Sequence, residues 1–167
     1  MKRIVLFIAC TLLVGNAAIA QMKIGYINSS ELLQAMPEFK TAETQIQAYA
    51  KTFQDQLQAM GQDYEKKLAE FKANEGTWSD AIKEVKVNEI QDLQTRVEKF
   101  NQSAQQKVEA KRQELLQPIL DKADKGIKDV AKEHGYDYVL DATAGVLLHA
   151  KESYNILPLV KQKMNIK

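Results

Sequence analysis

The sequence predicts a mostly helical α+β protein in which a long antiparallel coiled-coil hairpin is inserted into a small β-rich body. Two long segments carry apolar residues at helical spacing with the same repeat length, and a short break separates them. Short β-prone runs lie near both ends of the chain. The composition is rich in Ala, Gln, Glu, Lys and Leu, which is typical of long helices.

The first twenty residues are expected to be a secretory signal peptide rather than part of the fold. Lys2 and Arg3 form a positive start, an apolar run follows over 4–14, and Ala18-Ile19-Ala20 has the pattern of a cleavage site. The apolar part is too short for a transmembrane helix. We therefore expect export to the periplasm, with cleavage after Ala20.

The only cysteine, Cys10, lies within that segment. About six apolar residues precede it, which is short for the apolar region of a signal peptide. We therefore expect no lipidation, and no disulfide in the mature chain. Removing the segment leaves 21 basic against 22 acidic residues, a net charge of −1. This balance excludes a global basic field for nucleic acid or an anionic surface.

The mature chain opens with a short β-prone run, Ile24-Gly25-Tyr26-Ile27. The polar run 28–30 follows, and any of its three residues could cap a short helix that begins near Glu31. Pro37 is expected either at the first position of a longer helix or at a kink early in a continuous one.

The first long helix is predicted from an apolar stripe with an eleven-residue repeat. The stripe has steps of 3, 4, 4, 3, 4, 4 and 3 residues: Ile46, Tyr49, Phe53, Leu57, Met60, Tyr64, Leu68 and Phe71. A period of about 3.67 residues per turn predicts a nearly straight or slightly right-handed stripe. The stripe ends at 74–76, where Gly76 could take the left-handed conformation of a helix end. Thr77 and Ser79 are both candidate caps for the next helix, and Thr77 with Asp80 resembles a capping box.

The second long helix shows the same period. Its most regular members are eleven residues apart: Val97, Val108, Ile119 and Val130. Matched periods joined by a short glycine-containing turn predict an antiparallel hairpin over 37–134, with its tip near 74–79 and its stripes facing each other. The arms would reach about 50–80 Å. Pro118 is expected to kink or locally open the second arm.

The rest of the mature chain, 21–36 and 135–167, is predicted to form the body. The run 136–141 and the run 146–150, joined by a turn, have the pattern of a β-hairpin with apolar residues on both faces, which suggests burial on both sides. Gly135 should end the second long helix. The strands and last helix total only about forty to fifty residues, near the lower limit for an independent core, so we expect self-association.

A short closing helix completes the predicted body. It would contain Leu157, Pro158, Val160 and Met164, and Asn155 could cap it.

No catalytic, cofactor or metal site is predicted. His134 and His149 lack metal-ligand spacing, and His134 is explained more simply as a favourable group at a helix C-terminus. Asp137 and Asp141 lie on one strand face, and paired carboxylates can perform acid–base chemistry. A solvated or hydrogen-bonding role is favoured here. A small hydrolytic enzyme would require this pair to line a pocket.

Charged and aromatic residues gather towards the predicted tip. Lys66, Lys67, Lys83 and Lys86 could contact anionic lipid or a charged client, but a solvated face balanced by neighbouring acids is favoured. Trp78, the only tryptophan, is either a hydrophobic staple onto the second helix or an exposed aromatic for partner contact, and both interpretations remain open.

A two-helix hairpin cannot fully bury both of its apolar stripes. Residual apolar surface on a long arm would bind unfolded chains with low specificity. The candidate client-contact residues are the aromatic and methionine side chains of this surface: Phe53, Met60, Tyr64, Phe71 and Trp78.

Three short segments at the base of the hairpin carry a family resemblance. They read IGYIN over 24–28, ELLQAMPEFK over 31–40 and GYDYVLD over 135–141. With the signal peptide, the coiled coil and the closing helix, this arrangement resembles the Skp/OmpH family of periplasmic chaperones over essentially the whole mature chain. The end segments are fairly specific to that family, whereas any helical hairpin would resemble the middle.

The resemblance implies a homotrimer whose body is built by strands from three subunits. Three hairpins would surround a cavity that holds unfolded outer-membrane proteins without ATP or any cofactor. Well-known members of the family are strongly basic, whereas this mature chain is near neutral, so no lipopolysaccharide site is predicted. The alternative is a structural or tethering coiled coil of the cell envelope, which would form a dimer or a filament.

Overall fold

The computed structural model describes residues 22–143, 145 and 147–166. The predicted signal peptide and its cleavage site lie outside the described residues. The elements follow one another in this order: β1 (Ile24–Ile27), α1 (Ser29–Ala35), α2 (Pro37–Asn74), α3 (Asp80–Glu133), β2 (Tyr138–Asp141), a 3-10 turn (Glu152–Tyr154) and α4 (Leu157–Lys163).

The first two helices begin where local chemistry predicts. The Asn28 side chain accepts a hydrogen bond from the Glu31 backbone N–H at 3.0 Å, so Asn28 is the residue of its run that caps α1. Met36 then takes an extended conformation, which the following proline requires. Pro37 occupies the first position of α2, where its missing N–H costs nothing.

The two long helices form the predicted antiparallel hairpin. At 38 and 54 residues, α2 and α3 are about 57 and 81 Å long. Their apolar stripes face each other: Ile46 and Leu93 are buried, and Phe53 lies 6.0 Å from Phe100 across the seam. Within the described ranges, no helix is long and apolar enough to cross a membrane.

The turn at the tip differs from the prediction. α2 ends at Asn74, but Gly76 is not among the described glycines with positive φ, so the left-handed helix end expected there was wrong. The Thr77 hydroxyl donates back to the Asn74 carbonyl at 2.9 Å instead of forming a capping box. Ser79 holds the N-cap position of α3 without a side-chain hydrogen bond. Backbone hydrogen bonds to Asn74 therefore close the turn, and a glycine is not required for it.

The C-terminal end of α3 is marked more clearly in the sequence than the end of α2 at the tip. The helix runs through Pro118 without ending there, so a kink at that position stays a prediction. Gly135 has φ of +66°, the left-handed conformation in which glycine avoids the Cβ clash of other residues. The Tyr136 N–H then donates to the Ala131 carbonyl at 2.9 Å, as in a Schellman motif.

The sheet joins the two ends of the chain. β1 and β2 pair in parallel, with Ile24 opposite Tyr138 and Ile27 opposite Asp141. The second edge of β1 is taken by the segment before α4, since the Ile156 N–H donates to the Tyr26 carbonyl at 2.9 Å. The body predicted around a returning N-terminal strand is therefore confirmed in its pairing.

The predicted β-hairpin of the body was wrong. β2 spans only Tyr138–Asp141, and the described residues 147–150 form no strand. Burial on both faces is not seen within one chain, where Tyr138 and Leu140 are exposed. The physical reason for the different pairing is that Lys23 and Ser29 hold Asp137 and Asp141, so β2 pairs in parallel with β1.

The core lies where the chain ends meet the base of the hairpin. Its most deeply buried side chains come from β1, α1, α3 and α4 and from the residues that cap α1 and α4: Ile27, Leu32, Met36, Val130, Ile156 and Val160. Gly25 is required there by space, because a Cβ at this position would lie 2.9 Å from Ile156 and 3.0 Å from the Tyr136 ring. The base of the arms and the body therefore share one core.

Candidate functional site

The candidate client-contact side chains lie along the seam between α2 and α3. Each of them is half-buried, so they both hold the hairpin together and leave part of their apolar surface to solvent. Phe53 packs edge-on against Tyr49 at 5.0 Å, while Met60 and Tyr64 follow it along the same stripe. The structure therefore gives these residues the dual role that the eleven-residue pattern predicted, core and residual surface together.

At the tip, Trp78 packs on the first arm. Its ring lies 6.0 Å from that of Phe71, edge to face, and the Lys86 ammonium lies 5.7 Å above it. The side chain is half-buried, so neither of the two open interpretations describes it alone. Trp78 bridges both arms and still presents an edge to solvent.

Two further apolar side chains near the tip were missed by the sequence reasoning. Ile82 and Val85 are exposed on the first turns of α3, whereas apolar residues at helical spacing are normally expected to be buried. They are three residues apart and so share a face of the helix. A signal was present in the sequence, because the regular eleven-residue spacing begins only at Val97.

Three of the four lysines near the tip, Lys67, Lys83 and Lys86, are paired with acids. Lys67 lies 3.3 Å from Glu89, and Lys86 lies 3.3 Å from Glu70 and 3.7 Å from Glu89, so these pairs connect the two arms. Exposed pairs of this kind contribute about 0–1 kcal/mol each. The arrangement supports the solvated, internally balanced face over a basic patch.

His134 and the carboxylate pair take part in hydrogen bonds that join the two ends of the chain. His134 caps α3, and its carbonyl accepts from Lys23 Nζ at 2.6 Å. Asp137 accepts from the Lys23 backbone N–H at 2.7 Å, and neither Asp137 nor Asp141 lines the concave surface beside β2. Among the described residues, no group of three or more His, Cys, Asp and Glu side chains could hold a metal ion.

Asp141 instead ties α1 to the end of β2. Its carboxylate accepts hydrogen bonds from the backbone N–H and hydroxyl of Ser29 and of Thr143. Partial burial raises the pKa of Asp141, but these four donors outweigh it and lower the pKa to about 2. The charged carboxylate is thus a structural acceptor that joins the two ends of the chain.

Replacing Asp141 by asparagine is expected to lower the free energy of unfolding by about 1 kcal/mol at neutral pH, allowing for solvent screening. Asparagine keeps one acceptor oxygen, but its amide NH₂ replaces the second oxygen and is a donor that would face the donors of Ser29 and Thr143. Because the folded-state pKa lies near 2, below its ordinary value of 3.8, the stabilisation is present above about pH 4 and is lost as the pH falls through 2.

The measurement is urea unfolding of both proteins from neutral pH to pH 2. The difference between them should shrink as the pH falls. Asp124→Asn, on the exposed surface of α3 beside Lys128, is the matched control and should change stability by less than about 0.5 kcal/mol. A difference that stays constant over this range would contradict the assigned role.

The outer face of the small sheet is an exposed apolar surface of the body. Among the described residues, six of the nine exposed large apolar side chains belong to the body, and Leu148 is 94% exposed. A concave surface beside β1 and β2 encloses a volume of about 480 Å³. It is lined by Ile24, Tyr26, Leu140, Leu147 and Tyr154. A contiguous apolar surface of this kind on a small body is typical of a protein–protein interface.

The chain is similar to a family of known proteins over nearly its whole mature length. A family model described as "Outer membrane protein (OmpH-like)" matches residues 23–164. "Chaperone protein Skp" of Vibrio cholerae is 28% identical over 152 residues, covering 90% of this chain and 88% of its own length. "Chaperone protein Skp" of Yersinia enterocolitica is 26% identical and covers 79% and 80%.

A solved structure shares the fold. The crystal structure of an OmpH-like outer membrane chaperone from Caulobacter crescentus superposes with a TM-score of 0.71, covering 92% of this chain and 90% of its own. The two sequences are 17% identical, so this likeness concerns the fold alone. It confirms the mostly helical α+β architecture with its long hairpin.

Proposed function

Because this chain belongs to the family of OmpH-like outer membrane proteins, we propose that it is a periplasmic chaperone that holds unfolded outer-membrane proteins without ATP. Its named relatives are chaperones. The observation that carries the proposal is the seam of half-buried apolar side chains along both arms. Such a surface offers many weak contacts, and these keep an unfolded chain apart from others without selecting one sequence.

The arms and the body have different roles in this proposal. The hairpin over 37–134 binds clients, through Phe53, Met60, Tyr64, Phe71 and Trp78 among others. The body, made of 21–36 and 135–167, assembles the subunits. Cleavage after Ala20 would release the mature chain into the periplasm.

The body supports assembly in two ways. Its sheet exposes an apolar outer face, and among the described residues no strand pairs with the outer edge of β2. The described residues 147–150 form no strand, and Leu147 and Ala150 line the same concave surface as Leu140. We propose that these features meet their counterparts in a homotrimer, the number three being implied by the family resemblance.

A membrane-surface contact is expected to be weak. Glu70 and Glu89 engage Lys67 and Lys86, which lowers the attraction of these lysines for anionic lipid. Sedimentation with vesicles of anionic phospholipid should carry down little protein at physiological salt. Strong sedimentation would show that the ion pairs open at a membrane.

The decisive experiment dilutes a urea-denatured outer-membrane β-barrel protein into buffer without nucleotide. We expect the purified chain to suppress aggregation, measured by light scattering, at about one trimer per client. Bovine serum albumin at equal mass is the control for crowding. Undiminished aggregation at an excess of trimer, or a purified protein that is a dimer or a filament, would favour the structural coiled coil instead.

A further inference from the structure

Two open grooves lie along the seam of the hairpin. The tip-side groove, about 650 Å³, is built around Gly61 and Tyr64 on α2 and Val97 on α3. The body-side groove, about 720 Å³, is built around Phe53 on α2 and Val108 on α3. Concave surfaces of this size can receive side chains from a partner.

The two grooves are one structure repeated along the first arm. On α2, Ala50 of the body-side groove corresponds to Gly61 of the tip-side groove, eleven residues later. Phe53 corresponds to Tyr64 by the same shift. Each groove therefore pairs a small residue with an aromatic ring.

The second arm repeats in the opposite direction. On α3, Gln105 and Val108 of the body-side groove correspond to Gln94 and Val97 of the tip-side groove, eleven residues earlier. Because the helices are antiparallel, eleven residues forward on α2 and eleven back on α3 are the same displacement, about 16 Å towards the tip. The repeat that shapes the seam thus also duplicates the groove.

The small residues leave space that the chain itself does not use. Glycine inside a helix costs about 1 kcal/mol relative to alanine. A Cβ at Gly61 would nevertheless meet no atom within 4 Å, so packing within the chain does not require glycine there. Gly61 therefore keeps the tip-side groove open at some cost to helix stability, whereas Ala50 leaves space in the body-side groove without that cost.

The rims of both grooves carry amides. The side-chain amides of Gln94 and Gln105 donate hydrogen bonds to other residues of α3, at 3.3 and 3.4 Å. These hydrogen bonds are long and lie on an exposed surface, so they are easily exchanged for bonds to another molecule. At the body side, Glu109 lies 3.9 Å from Arg112, which cancels their charges. At the tip side, Glu65 and Glu98 line the groove, so that rim is acidic. Neutral and acidic rims both disfavour anionic lipid or nucleic acid, and the amides they share suit the uncharged donors and acceptors of a polypeptide backbone.

From this geometry we infer that each groove receives one apolar side chain of an extended client segment, while the rim amides hydrogen-bond to the client's backbone. A separation of about 16 Å lies between the spans of four and six residues of extended chain, and side chains at these even spacings point to the same face, so one segment can occupy both grooves. This inference rests on the proposed holding function and assigns it a repeated, backbone-directed binding site. The fully exposed backbone of an unfolded chain is the ligand that such a site distinguishes from a folded protein.

Filling the grooves tests the inference. Gly61→Leu and Ala50→Leu each place a side chain in one groove. The first raises helix propensity and the second lowers it only slightly, because leucine is also a strong helix former. We expect each single variant to bind a urea-denatured, fluorescently labelled outer-membrane β-barrel protein about threefold more weakly, and the double variant about tenfold more weakly. Ala59→Leu, at an exposed position of α2 between the two grooves, is the matched control and should bind as the parent does.

A second measurement does not depend on the variants folding. A photo-crosslinking residue at Gln105, on the groove rim, should capture the client in higher yield than the same residue at Gln106, its exposed neighbour outside the groove. Equal yields, or a double variant that binds like the parent, would overturn the groove assignment while leaving the holding function intact. A parent protein that does not bind the client at all would instead overturn the proposed function, and the inference with it.

Discussion

Replacing Leu140 by glutamate is expected to separate the proposed trimer into single chains and to abolish the suppression of aggregation. Leu140 is 45% exposed in the single chain and lines the concave apolar surface of the sheet with Ile24 and Tyr154. At a subunit interface the new carboxylate would be desolvated without a partner, in every copy. Light scattering after size-exclusion chromatography should show the mass of one chain instead of three.

The matched control for this prediction is Leu120→Glu. Leu120 is 42% exposed, so the same change is made at a position of similar exposure, but on α3 and away from the sheet. This variant should stay trimeric and active. If Leu140→Glu also stays trimeric at micromolar concentration, the outer face of the sheet is not the assembly surface.

Replacing Leu32 by alanine is expected to cost about 2–5 kcal/mol of the free energy of unfolding. Leu32 is fully buried, at 0% exposed, and packs in the core that joins both chain ends to the base of the arms. Alanine would leave a cavity that this small core has few ways to fill. Urea unfolding followed by far-UV circular dichroism, at equal protein concentration, measures the loss.

Gln34→Ala separates packing from helix propensity. Gln34 lies on the exposed side of the same short helix, so the substitution should change stability by less than about 0.5 kcal/mol. An effect of Leu32→Ala no larger than that of Gln34→Ala would show that the body core contributes little. The arms would then have to be stable without it.

The hairpin was predictable because its signal is local and repeated. Apolar spacing over the stripe from Ile46 to Phe71 defines which face of α2 is buried, whatever the rest of the chain does. Single residues marked the ends in the same way: Asn28 as a cap, Pro37 at a helix start and Gly135 at a helix end. Four of the five candidate client-contact residues were found because they belong to that stripe, and Trp78 because it is the only tryptophan and lies at the tip; their contact with clients stays a prediction.

The sheet was predicted less well because its partners are far apart in sequence. Gly25 pairs with Val139, more than a hundred residues away, and no local pattern states that pairing. The apolar runs within 136–150 were interpreted as the two strands of a β-hairpin. β2 instead pairs in parallel with β1, because Asp137 and Asp141 are held by the N-terminal segment through Lys23 and Ser29.

The candidate grooves were also only partly predictable from the sequence. The sequence contains every residue of them, and the eleven-residue repeat was evident there. Their duplication appears only when α2 and α3 are set antiparallel, since Ala50 and Gly61 then face Gln105 and Gln94 in the same relation. The amino-acid sequence alone does not show which residues of two helices contact each other.

By itself the sequence determined the two arms, their shared period, their boundaries to within a few residues and the family to which the chain belongs. Helix periodicity and capping act over a few residues, so they can be read along the chain. The tertiary structure alone decided that the sheet is parallel, that residues 147–150 form no strand within one chain and that the outer face of β2 stays exposed. Those features depend on which distant edge is free to pair, a property of the folded chain and not of any segment within it.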